Sequence, residues 1–419
     1  MRTAIIGGGA AGFFLAINLK EMCPQMHVTI YERSQHLLRK VKVSGGGRCN
    51  CTNTFEDVRD LSAVYPRGHR LMKRLMKGFS QHDAYTWFER HGVPLTVQPD
   101  HCVFPAAQDS QVIIDCFLHH ARRLSIDIRL STPVTAITPA SPLQVTVPEG
   151  SPEGFDFIAL TTGGQPSLSG LRWLADLGHE IEPPVPSLFT FSIEDPALRA
   201  LMGTVVEGAT AAIPGTKFRA TGPLLITHWG VSGPAILKLS SYAARYLADH
   251  DYHAPLIINW TGMNEEQVRA ELQALLAANP HKQLTSLHPF GLPTRLWHHL
   301  LSKANSQSLT PNPQHPTPNR LPPPPKTLSR FVALLTADPY TIASRAPFKD
   351  EFVTCGGISL SSVNPSTLES RHCTHLYFAG ELLDIDGITG GFNFQAAWTT
   401  AYTVARAIAT AYAATSFPE

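Results

Sequence analysis

Short apolar runs alternate with glycine-containing turns and amphipathic stretches over the first 188 residues. The apolar run at 5–6 predicts a strand, and the uncharged stretch after the following glycines predicts a helix. Apolar runs at 28–31, 126–130 and 155–160 predict further strands, and we interpret the last two as buried. A segment with aromatic anchors at 82–90 predicts a helix. This alternation is typical of an α/β fold.

The pattern changes from about residue 189. Short strands predicted at 188–193 and 224–227 are separated by Gly and Pro, which favours a small antiparallel or barrel-like domain. Asn264 begins a predicted helix whose apolar positions recur at i, i+4, i+7 and i+8, at Val268, Leu272, Leu275 and Leu276. We interpret these positions as a packing stripe. A second helix is predicted from Pro293 through Leu301.

A low-complexity segment, 306–326, contains eight prolines, four of them consecutive. Its composition predicts an exposed, semi-rigid loop, which serves either as a solvated linker or as a site for a proline-dependent partner. The chain then returns to its first pattern, with a strand predicted at 376–379 and a small-residue helix at 395–408.

The first glycine cluster, with Gly7, Gly9 and Gly12, has the spacing of a dinucleotide-binding fingerprint. These glycines allow a sharp turn, the approach of a pyrophosphate and close helix packing, and the helix N-terminus attracts the diphosphate. Glu32 follows the second strand at the spacing expected for an acid that binds a ribose hydroxyl. A secretory signal peptide is the alternative. Three glycines, each costing about 1 kcal/mol in a helix, disfavour it.

Composition limits the classes of protein. A chain of 419 residues with 43% hydrophobic and 16% charged residues predicts two or three domains with a sizeable core. The net charge of +1, without a block rich in Lys or Arg, argues against a nucleic-acid partner. No later apolar run is long enough for a membrane span, so no membrane partner is expected. The sequence predicts no oligomeric state.

Seven cysteines, an odd number in a long chain, predict reduced thiols and a cytoplasmic location. The closest pair is Cys49 and Cys51, and no second Cys or His pair stands at metal-ligand spacing. We therefore expect no metal site.

A second constellation lies near the C-terminus. Gly380 and Glu381 follow a predicted strand, Asp384 and Asp386 come next, and glycines mark a helix start at 390–393. A carboxylate can hold ribityl hydroxyls, and helix N–H groups can face the N1/C2 edge of an isoalloxazine. Combined with the N-terminal fingerprint, this constellation predicts FAD; two turn-forming aspartates are the alternative.

Seven segments, in the same order from end to end, resemble the aminoacetone-oxidase-like, BaiN-type (YhiN-like) family of bacterial FAD proteins. They are IIGGGAAGFFLA (5–16), RKVKVSGGGRCNCTN (39–53), VFPAAQDSQVIID (103–115), TGGQP (162–166), LLITHWGVSGPAILKLS (224–240), TCGGISL (354–360) and LYFAGELLDIDGITGGFNFQAAW (376–398). Two departures are Leu38, where the family has a glycine before the basic pair, and the proline-rich insertion.

The resemblance implies a Rossmann-like, glutathione-reductase-like FAD-binding domain made of 1–188 and 348–419. An inserted substrate domain, 189–347, would hold a small β-barrel, a helical subdomain at about 262–305 and the proline-rich loop.

The resemblance also implies cofactor-binding residues. Those for the pyrophosphate and adenosine are Gly7, Gly9, Ala10, Ala11, Gly12, Glu32, Arg33 and Val134. Those along the cofactor are Arg39, Lys40, Ser44, Gly45, Gly46, Gly47, Arg48, Cys49 and Asn50. Those for the ribityl chain, the phosphates and the flavin are Gly380, Glu381, Asp384, Asp386, Gly390, Gly391, Phe392 and Asn393. Independently of the resemblance, Thr162, Gly163 and Gly164 follow the strand predicted at 155–160 and predict a tight turn that brings backbone near the cofactor, with an ordinary strand-end turn as the alternative.

Candidate reactive side chains are few. His228, in the segment THWGVSGP, is suited to proton transfer, with a backbone-bonded structural histidine as the alternative. Cys49 is either a redox thiol or a buried structural cysteine. Arg48 pairs either with a phosphate or with a carboxylate of the fold.

Three functions follow from this. The first is an FAD-dependent oxidoreductase that moves hydride from a small substrate, such as the amine aminoacetone, to flavin N5, with reoxidation by oxygen. The second is a reductase of unsaturated oxo compounds of the oxo-steroid or bile-acid type. Its electron donor would be NAD(P)H bound transiently, because no second glycine fingerprint predicts a dedicated NAD(P)H domain. The third is a flavin-binding protein that acts on RNA or on a protein partner.

Overall fold

The computed structural model describes residues 1–306, 325–346 and 353–416. Its internal contacts divide the chain into two units, Met1–Pro186 with Val353–Glu419, and Ser187–Phe352. These divisions lie two and five residues from the predicted domain boundaries at 188/189 and 347/348, which stay predictions.

The strands, in chain order, are β1 (Arg2–Ile6), β2 (His27–Tyr31), β3 (Thr52–Asn53), β4 (Leu95–Val97), β5 (Cys102–Pro105), β6 (Asp127–Arg129), β7 (Ala136–Thr138), β8 (Leu143–Thr146), β9 (Glu153–Phe155), β10 (Phe157–Leu160), β11 (Ile181–Ser187), β12 (Phe191–Ser192), β13 (Val205–Ala212), β14 (Arg219–Ile226), β15 (Gly230–Ser232), β16 (Ala254–Asn259), β17 (Asp338–Ile342), β18 (Ser344–Arg345), β19 (Val353–Ile358) and β20 (Leu376–Phe378).

The helices are α1 (Ala10–Met22), α2 (Arg39–Gly47), α3 (His69–Leu75), α4 (Gln81–Arg90), α5 (Gln111–Arg123), α6 (Arg172–Ala175), α7 (Pro196–Arg199), α8 (Pro234–Tyr242), α9 (Ala244–Asp249), α10 (Glu265–Ala278), α11 (Thr294–Ser306), α12 (Pro325–Ala337) and α13 (Phe392–Ser416). None of them, in the described ranges, combines the length and apolar character needed to cross a bilayer.

A parallel five-stranded sheet forms the centre of the first unit, in the order β20-β10-β1-β2-β6. All residues of β10 and β20, and all but the first residue of β1 and of β2, are buried, because both faces of such a sheet are covered. Helix α1 packs against α13, where the Phe14 and Trp398 ring centroids are 5.1 Å apart. The predicted α/β fold with a Rossmann-type sheet is therefore confirmed.

Two strand predictions need correction. The strand predicted as buried at 126–130 is β6, an edge strand with an exposed Asp127, because β2 alone among the described strands pairs with it. The strand predicted at 155–160 is divided between β9 and β10. Asp156 separates them and accepts a hydrogen bond from the Arg2 backbone at 2.7 Å.

The second unit contains an antiparallel seven-stranded sheet, in the order β17-β16-β13-β14-β15-β12-β18. Helix α10 begins as predicted after Asn264, which forms a capping box with Gln267. Val268 and Leu272 of the predicted stripe are buried. Most of the predicted proline-rich loop lies outside the described residues. Its last two residues are helical, because α12 begins at Pro325, and proline is well suited to a first helical position.

Candidate functional site

The carboxyl ends of four parallel strands meet at one edge of the first unit's sheet. Ile6 is in register with Tyr31 and with Leu160, and Leu160 is in register with Phe378. The segments that follow these strands carry Gly7, Glu32, Thr162 and Gly380, all of them predicted site residues. This is the edge at which open α/β sheets bind ligands.

Gly7 and Gly12 close the first turn tightly. Gly7 has φ +119°, and a Cβ there would overlap the Thr161 carbonyl. A Cβ at Gly12 would overlap the Gly7 carbonyl oxygen, and the Thr161 hydroxyl donates to that oxygen at 2.9 Å. Glycine is therefore required at both positions for packing between the turn, α1 and β10.

Gly9 differs, because a Cβ there would meet nothing within 4 Å. In the described part of the chain no side chain caps the N-terminus of α1, which begins directly after Gly9. The first N–H groups of a helix have no intrahelical partner and attract anions. Open space beside an uncapped helix start fits the diphosphate of a dinucleotide.

The Glu32 carboxylate lies against this turn. One of its oxygens accepts from the Gly8 N–H at 2.9 Å, and the other accepts from the Ser34 N–H at 2.9 Å. Each oxygen keeps a lone pair for a ribose hydroxyl. The Thr132 N–H donates to the Glu32 carbonyl, and this hydrogen bond holds the segment with the half-buried Val134 near Glu32. Arg33 is exposed.

Residues 39–47 form α2. Its regular part carries Arg39 and Lys40, both exposed, and it breaks at 44–46, where Gly45 and Gly46 have φ of +56° and +69°. A Cβ at Gly46 or Gly47 would meet nothing within 4 Å. The sequence predicted that residues 44–50 lie along the cofactor, but it did not predict the helix before them.

Lys40 connects the N-terminal segment to the C-terminal one. Its Nζ donates to both Glu381 carboxylate oxygens, at 2.9 and 2.7 Å, and Glu381 also accepts from the Thr354 N–H at 2.9 Å. A Cβ at Gly164 would lie 2.7 Å from Glu381 Oε1, so this carboxylate adjoins the turn at 162–164. Gly380 adjoins α1, since its Cβ would lie 3.0 Å from that of Ala11. The N-terminal and the C-terminal segments of the predicted FAD site are therefore in contact.

Asp386 has a role that differs from the predicted one. Its side chain is fully buried, and its carboxylate is paired with Arg67 through Nε at 2.5 Å and through the second guanidinium nitrogen. Burial lowers the Arg67 pKa, but Asp386 outweighs this through Coulombic attraction and hydrogen bonding, and the pKa is raised overall. We correct the prediction: Asp386 positions its segment, and its carboxylate has no surface for a ligand. Asp384 is half-buried.

The start of α13 is tied to residues 50–65. With its amide oxygen directed toward Gly391, Asn50 accepts from the Gly391 N–H at 3.1 Å and donates to the Thr52 carbonyl at 2.8 Å. Asn53 donates to the Gly390 carbonyl at 3.1 Å. The Tyr65 hydroxyl donates to the Phe392 carbonyl at 2.8 Å. These contacts fix the N-terminus of a long helix at the predicted flavin segment.

The two residues after Gly391 serve this segment differently. Phe392 is buried and its ring packs edge-on to Phe55 at 5.0 Å. Asn393 binds the Gly387 backbone twice, accepting from N–H and donating to C=O, both at 2.8 Å. The Phe392 ring is therefore part of the protein's own packing, and its carbonyl is already bonded to Tyr65.

The side chains of Cys49 and Arg48 both make contacts within the protein. Cys49 is fully buried, 4.0 Å from the sulfur of Cys51, whose pKa is raised well above its ordinary value chiefly by burial. This favours the structural interpretation for the pair. All seven cysteines are described, buried and free of disulfides. Arg48 stacks on the Phe104 ring at 4.3 Å, and its Nε donates to the Gly45 carbonyl at 3.1 Å. Its pairing with a phosphate stays a prediction.

His228 lies in the second unit, at the turn between β14 and β15. The Thr227 hydroxyl accepts from the backbone N–H groups of Trp229 and Gly230, both at 3.2 Å, and shapes this turn. The imidazole is exposed and lies beside the Trp229 ring. Within the described ranges no hydrogen bond holds it, so the backbone-bonded alternative is absent there.

One group of possible metal ligands, Glu21, His91 and His120, comes together from distant positions. Sequence spacing could not reveal it. His91 Nε2 lies 3.1 Å from Glu21 Oε1, and Arg123 reaches the same oxygen at 3.4 Å. The Glu21 carboxylate is therefore already bonded to His91 and to Arg123.

The family of this chain follows from a match that extends over most of its length. The family model described as the HI0933-like protein Rossmann domain matches residues 1–407. The chain belongs to the HI0933-like family. The BaiN- and YhiN-type resemblance is confirmed, and the protein is an FAD-dependent oxidoreductase.

Two curated relatives match almost the whole chain. The 3-dehydro-bile acid delta(4,6)-reductase of Clostridium scindens is 26% identical, covering 97% of this chain and 99% of the relative. The ribosomal RNA dihydrouridine synthase of Escherichia coli is 27% identical, covering 96% of each. A solved 3-ketosteroid delta1-dehydrogenase of Sterolibacterium denitrificans shares the fold, with a TM-score of 0.51 and 12% identity over 98% of this chain and 99% of that one.

Proposed function

We propose that this protein reduces a carbon–carbon double bond conjugated to a carbonyl group, with NAD(P)H as a transient electron donor. The observation that carries the proposal is the chemistry common to two relatives of nearly equal length. A bile-acid delta(4,6)-reductase and a dihydrouridine synthase both, by their names, saturate such a bond. The oxidation of an amine such as aminoacetone is the competing function.

The reaction divides into two additions. A hydride adds to the carbon β to the carbonyl, and the charge that this places on the conjugated system is quenched by a proton on the α carbon. Bound FAD supplies the hydride-carrying ring, which no amino-acid side chain can replace. The chain must therefore hold the cofactor, bind the acceptor and deliver the proton.

The first unit provides the groups that hold FAD. The uncapped start of α1 and the space beside Gly9 suit the diphosphate, and Glu32 suits a ribose hydroxyl. Glu381, oriented by Lys40 and by the Thr354 N–H, suits the ribityl chain. The start of α13 provides a positive dipole end for the flavin edge, where reduction places negative charge.

We assign the proton donor to His228. Imidazole exchanges protons near neutral pH, and this ring is exposed with no hydrogen bond occupying it in the described part of the chain. A general acid of this kind accelerates a reaction about 10²- to 10⁴-fold.

The experiment separates the two half-reactions under anaerobic conditions. The FAD-loaded protein is mixed with NADH, NADPH or aminoacetone, and bleaching of the flavin band is followed. The reduced protein is then mixed with a 3-oxo-Δ4 steroid or with uridine. The proposal expects bleaching by a nicotinamide and recovery of the band with a conjugated acceptor. Bleaching by aminoacetone alone, with peroxide formed in air, would establish the oxidase instead.

A further inference from the structure

Three helices of the first unit end around one cluster of polar side chains. Glu21 lies in the last turn of α1, His91 directly follows α4, and His120 lies in the last turn of α5. One potential ligand atom of each residue lies within 4.8 Å of those of the other two. The sequence predicted no metal site, because 70 residues separate Glu21 from His91 and 29 separate His91 from His120. The fold therefore brings two imidazoles and a carboxylate together from distant positions.

The His91 ring has the orientation of a metal ligand. Its Nδ1 lies 2.7 Å from the Trp87 carbonyl, which can only accept, so Nδ1 carries a proton. The ring also stacks on the Trp87 indole, with the centroids 3.8 Å apart. Histidines that bind a metal through one nitrogen almost always donate from the other to a carbonyl, a carboxylate or water. Nε2 is therefore the nitrogen that His91 offers to a ligand, and it faces the Glu21 carboxylate at 3.1 Å.

The contact between His91 and Glu21 requires a positive charge between the two side chains. In a neutral His91 ring with its proton on Nδ1, the Nε2 lone pair would face a carboxylate oxygen, and two acceptors repel each other. Either a second proton or a metal ion must therefore lie between them. Their separation of 3.1 Å is close to the roughly 3.3 Å between two ligands of a tetrahedral ion with bonds of about 2.0 Å.

His120 favours the metal ion over the second proton. The residue is 8% exposed, its Nε2 donates to the His91 carbonyl at 3.4 Å, and among the described residues no group bonds its buried Nδ1. Burial lowers the pKa of His120, which favours a neutral ring with a lone pair on Nδ1. Native structures rarely leave a buried polar atom without a partner. A proton on His91 gives this nitrogen no partner, whereas a metal ion shared by the three residues does.

The surroundings of the cluster also favour a cation. The C-terminal end of a helix carries a partial negative charge, and α1, α4 and α5 all end here. Arg123 is a competing cation, since it reaches Glu21 Oε1 at 3.4 Å, but its side chain is 54% exposed. A charge-assisted hydrogen bond is about 2.7–2.9 Å long, so this contact is loose. Arg123 can therefore turn into solvent when a metal ion binds the carboxylate.

We propose that Glu21, His91 and His120 bind a divalent transition-metal ion of the Zn²⁺ type, which fixes the end of α1 to α4 and α5. Imidazole nitrogen and carboxylate oxygen are both ligands of Zn²⁺, whereas Ca²⁺ and Mg²⁺ take oxygen ligands. Water completes a tetrahedral ion with three protein ligands. Glu21 lies roughly 18 Å along α1 from Gly9, at about 1.5 Å per residue. The ion therefore stabilises the FAD-binding unit and takes no part in the proposed reaction.

The test uses the untagged, FAD-loaded protein, freed of metal by a chelator and titrated with ZnCl₂ in a calorimeter. Wild type should show a Zn²⁺ site that Glu21→Gln and His91→Gln each weaken at least about 100-fold, because loss of a mere outer-shell partner costs about 10- to 100-fold. His82→Gln removes an exposed histidine near the start of α4 and is the matched control, with unchanged affinity. The flavin spectrum shows whether each variant is folded.

Thermal unfolding of the same proteins provides the second readout. Zn²⁺ at 100 times its Kd should raise the Tm of wild type and of His82→Gln by about 5 °C or more. The same concentration should leave the Tm of Glu21→Gln and of His91→Gln unchanged. Equal Zn²⁺ affinity in wild type and in both site variants would mark the bound ion as adventitious and overturn the proposal. A wild-type Tm that does not respond to Zn²⁺ would also overturn it and leave His91 and Glu21 as an ion pair.

Discussion

Arg67 and Asp386, 319 residues apart in the sequence, form a buried ion pair that uses both carboxylate oxygens. The Arg67 side chain is 13% exposed and that of Asp386 is 0% exposed. This pair joins the segment before α3 to the segment before α13, and both segments border the predicted flavin site. The pair therefore fixes the geometry of a site assembled from both ends of the chain.

Asp386→Asn should destabilise the first unit strongly, because it leaves the Arg67 guanidinium buried without its counter-ion. Loss of one partner of a buried pair costs about 3–5 kcal/mol. Denaturant unfolding of the FAD-free protein measures this. Lys40→Gln removes the exposed partner of Glu381 and is the control, for which we expect at most about 1 kcal/mol. Equal small effects of both variants would contradict the structural role of Asp386.

Gly9→Ala should separate cofactor binding from folding. The new methyl group meets no protein atom within 4 Å, and the φ of Gly9, −94°, suits alanine. Thermal stability without FAD should be unchanged, whereas FAD affinity should fall because the methyl group occupies the space for the diphosphate. Gly208→Ala, also in open space, is the matched control and should retain FAD. Unchanged FAD affinity in Gly9→Ala would refute the assignment of the diphosphate to this turn.

Gly12→Ala should give the opposite pattern. Its methyl group would overlap the Gly7 carbonyl oxygen, so the first turn must shift. We expect lower stability even in the FAD-free protein, measured by the same thermal unfolding. Stability equal to that of Gly9→Ala would show that the tight packing at Gly12 is not required.

His228→Gln should slow acceptor reduction about 10²-fold or more if its imidazole donates the proton. The bleaching of the flavin by NAD(P)H needs no such proton and should keep its rate. Stopped-flow absorbance resolves these two steps. Equal loss in both steps would indicate damage to the turn rather than loss of an acid, and no loss in either would remove His228 from the mechanism.

Stability should decline as the pH falls below about 6.5, because burial lowers the pKa of His179. Its ring bonds the Leu174 carbonyl and the Ser370 hydroxyl and faces His372 and Phe378. Between its lowered folded pKa and 6.5, the unfolded chain binds a proton that the folded chain does not. The stabilisation that the neutral His179 ring gives the folded state is complete above pH 6.5 and is lost as the pH falls through that interval. His179→Gln should flatten the dependence in unfolding at pH 7.5 and 5.5, and an unchanged profile would exclude His179 as a cause.

Local signals explain what the sequence predicted well. The turn at Gly7, the helix after it and the acid at Glu32 lie within 32 residues, and their chemistry requires specific residue types. The capping box at Asn264 is likewise a short-range signal.

Long-range pairing explains what the sequence missed. Arg67 gains its role from a partner 319 residues away, and Asp386 cannot be distinguished from a ligand-binding acid until that partner is known. The edge position of β6 depends on sheet order, which the apolar run at 126–130 does not encode.

The central claim is tested most directly by mass spectrometry of the acceptor after one anaerobic turnover. The FAD-loaded protein is reduced by NADPH or NADH and then mixed with a uridine-containing single strand or with a 3-oxo-Δ4 steroid. The account predicts a product heavier by two hydrogens, formed as the flavin band returns. A flavin band that stays bleached with every conjugated acceptor, and returns only on admission of oxygen with no change in acceptor mass, would contradict it.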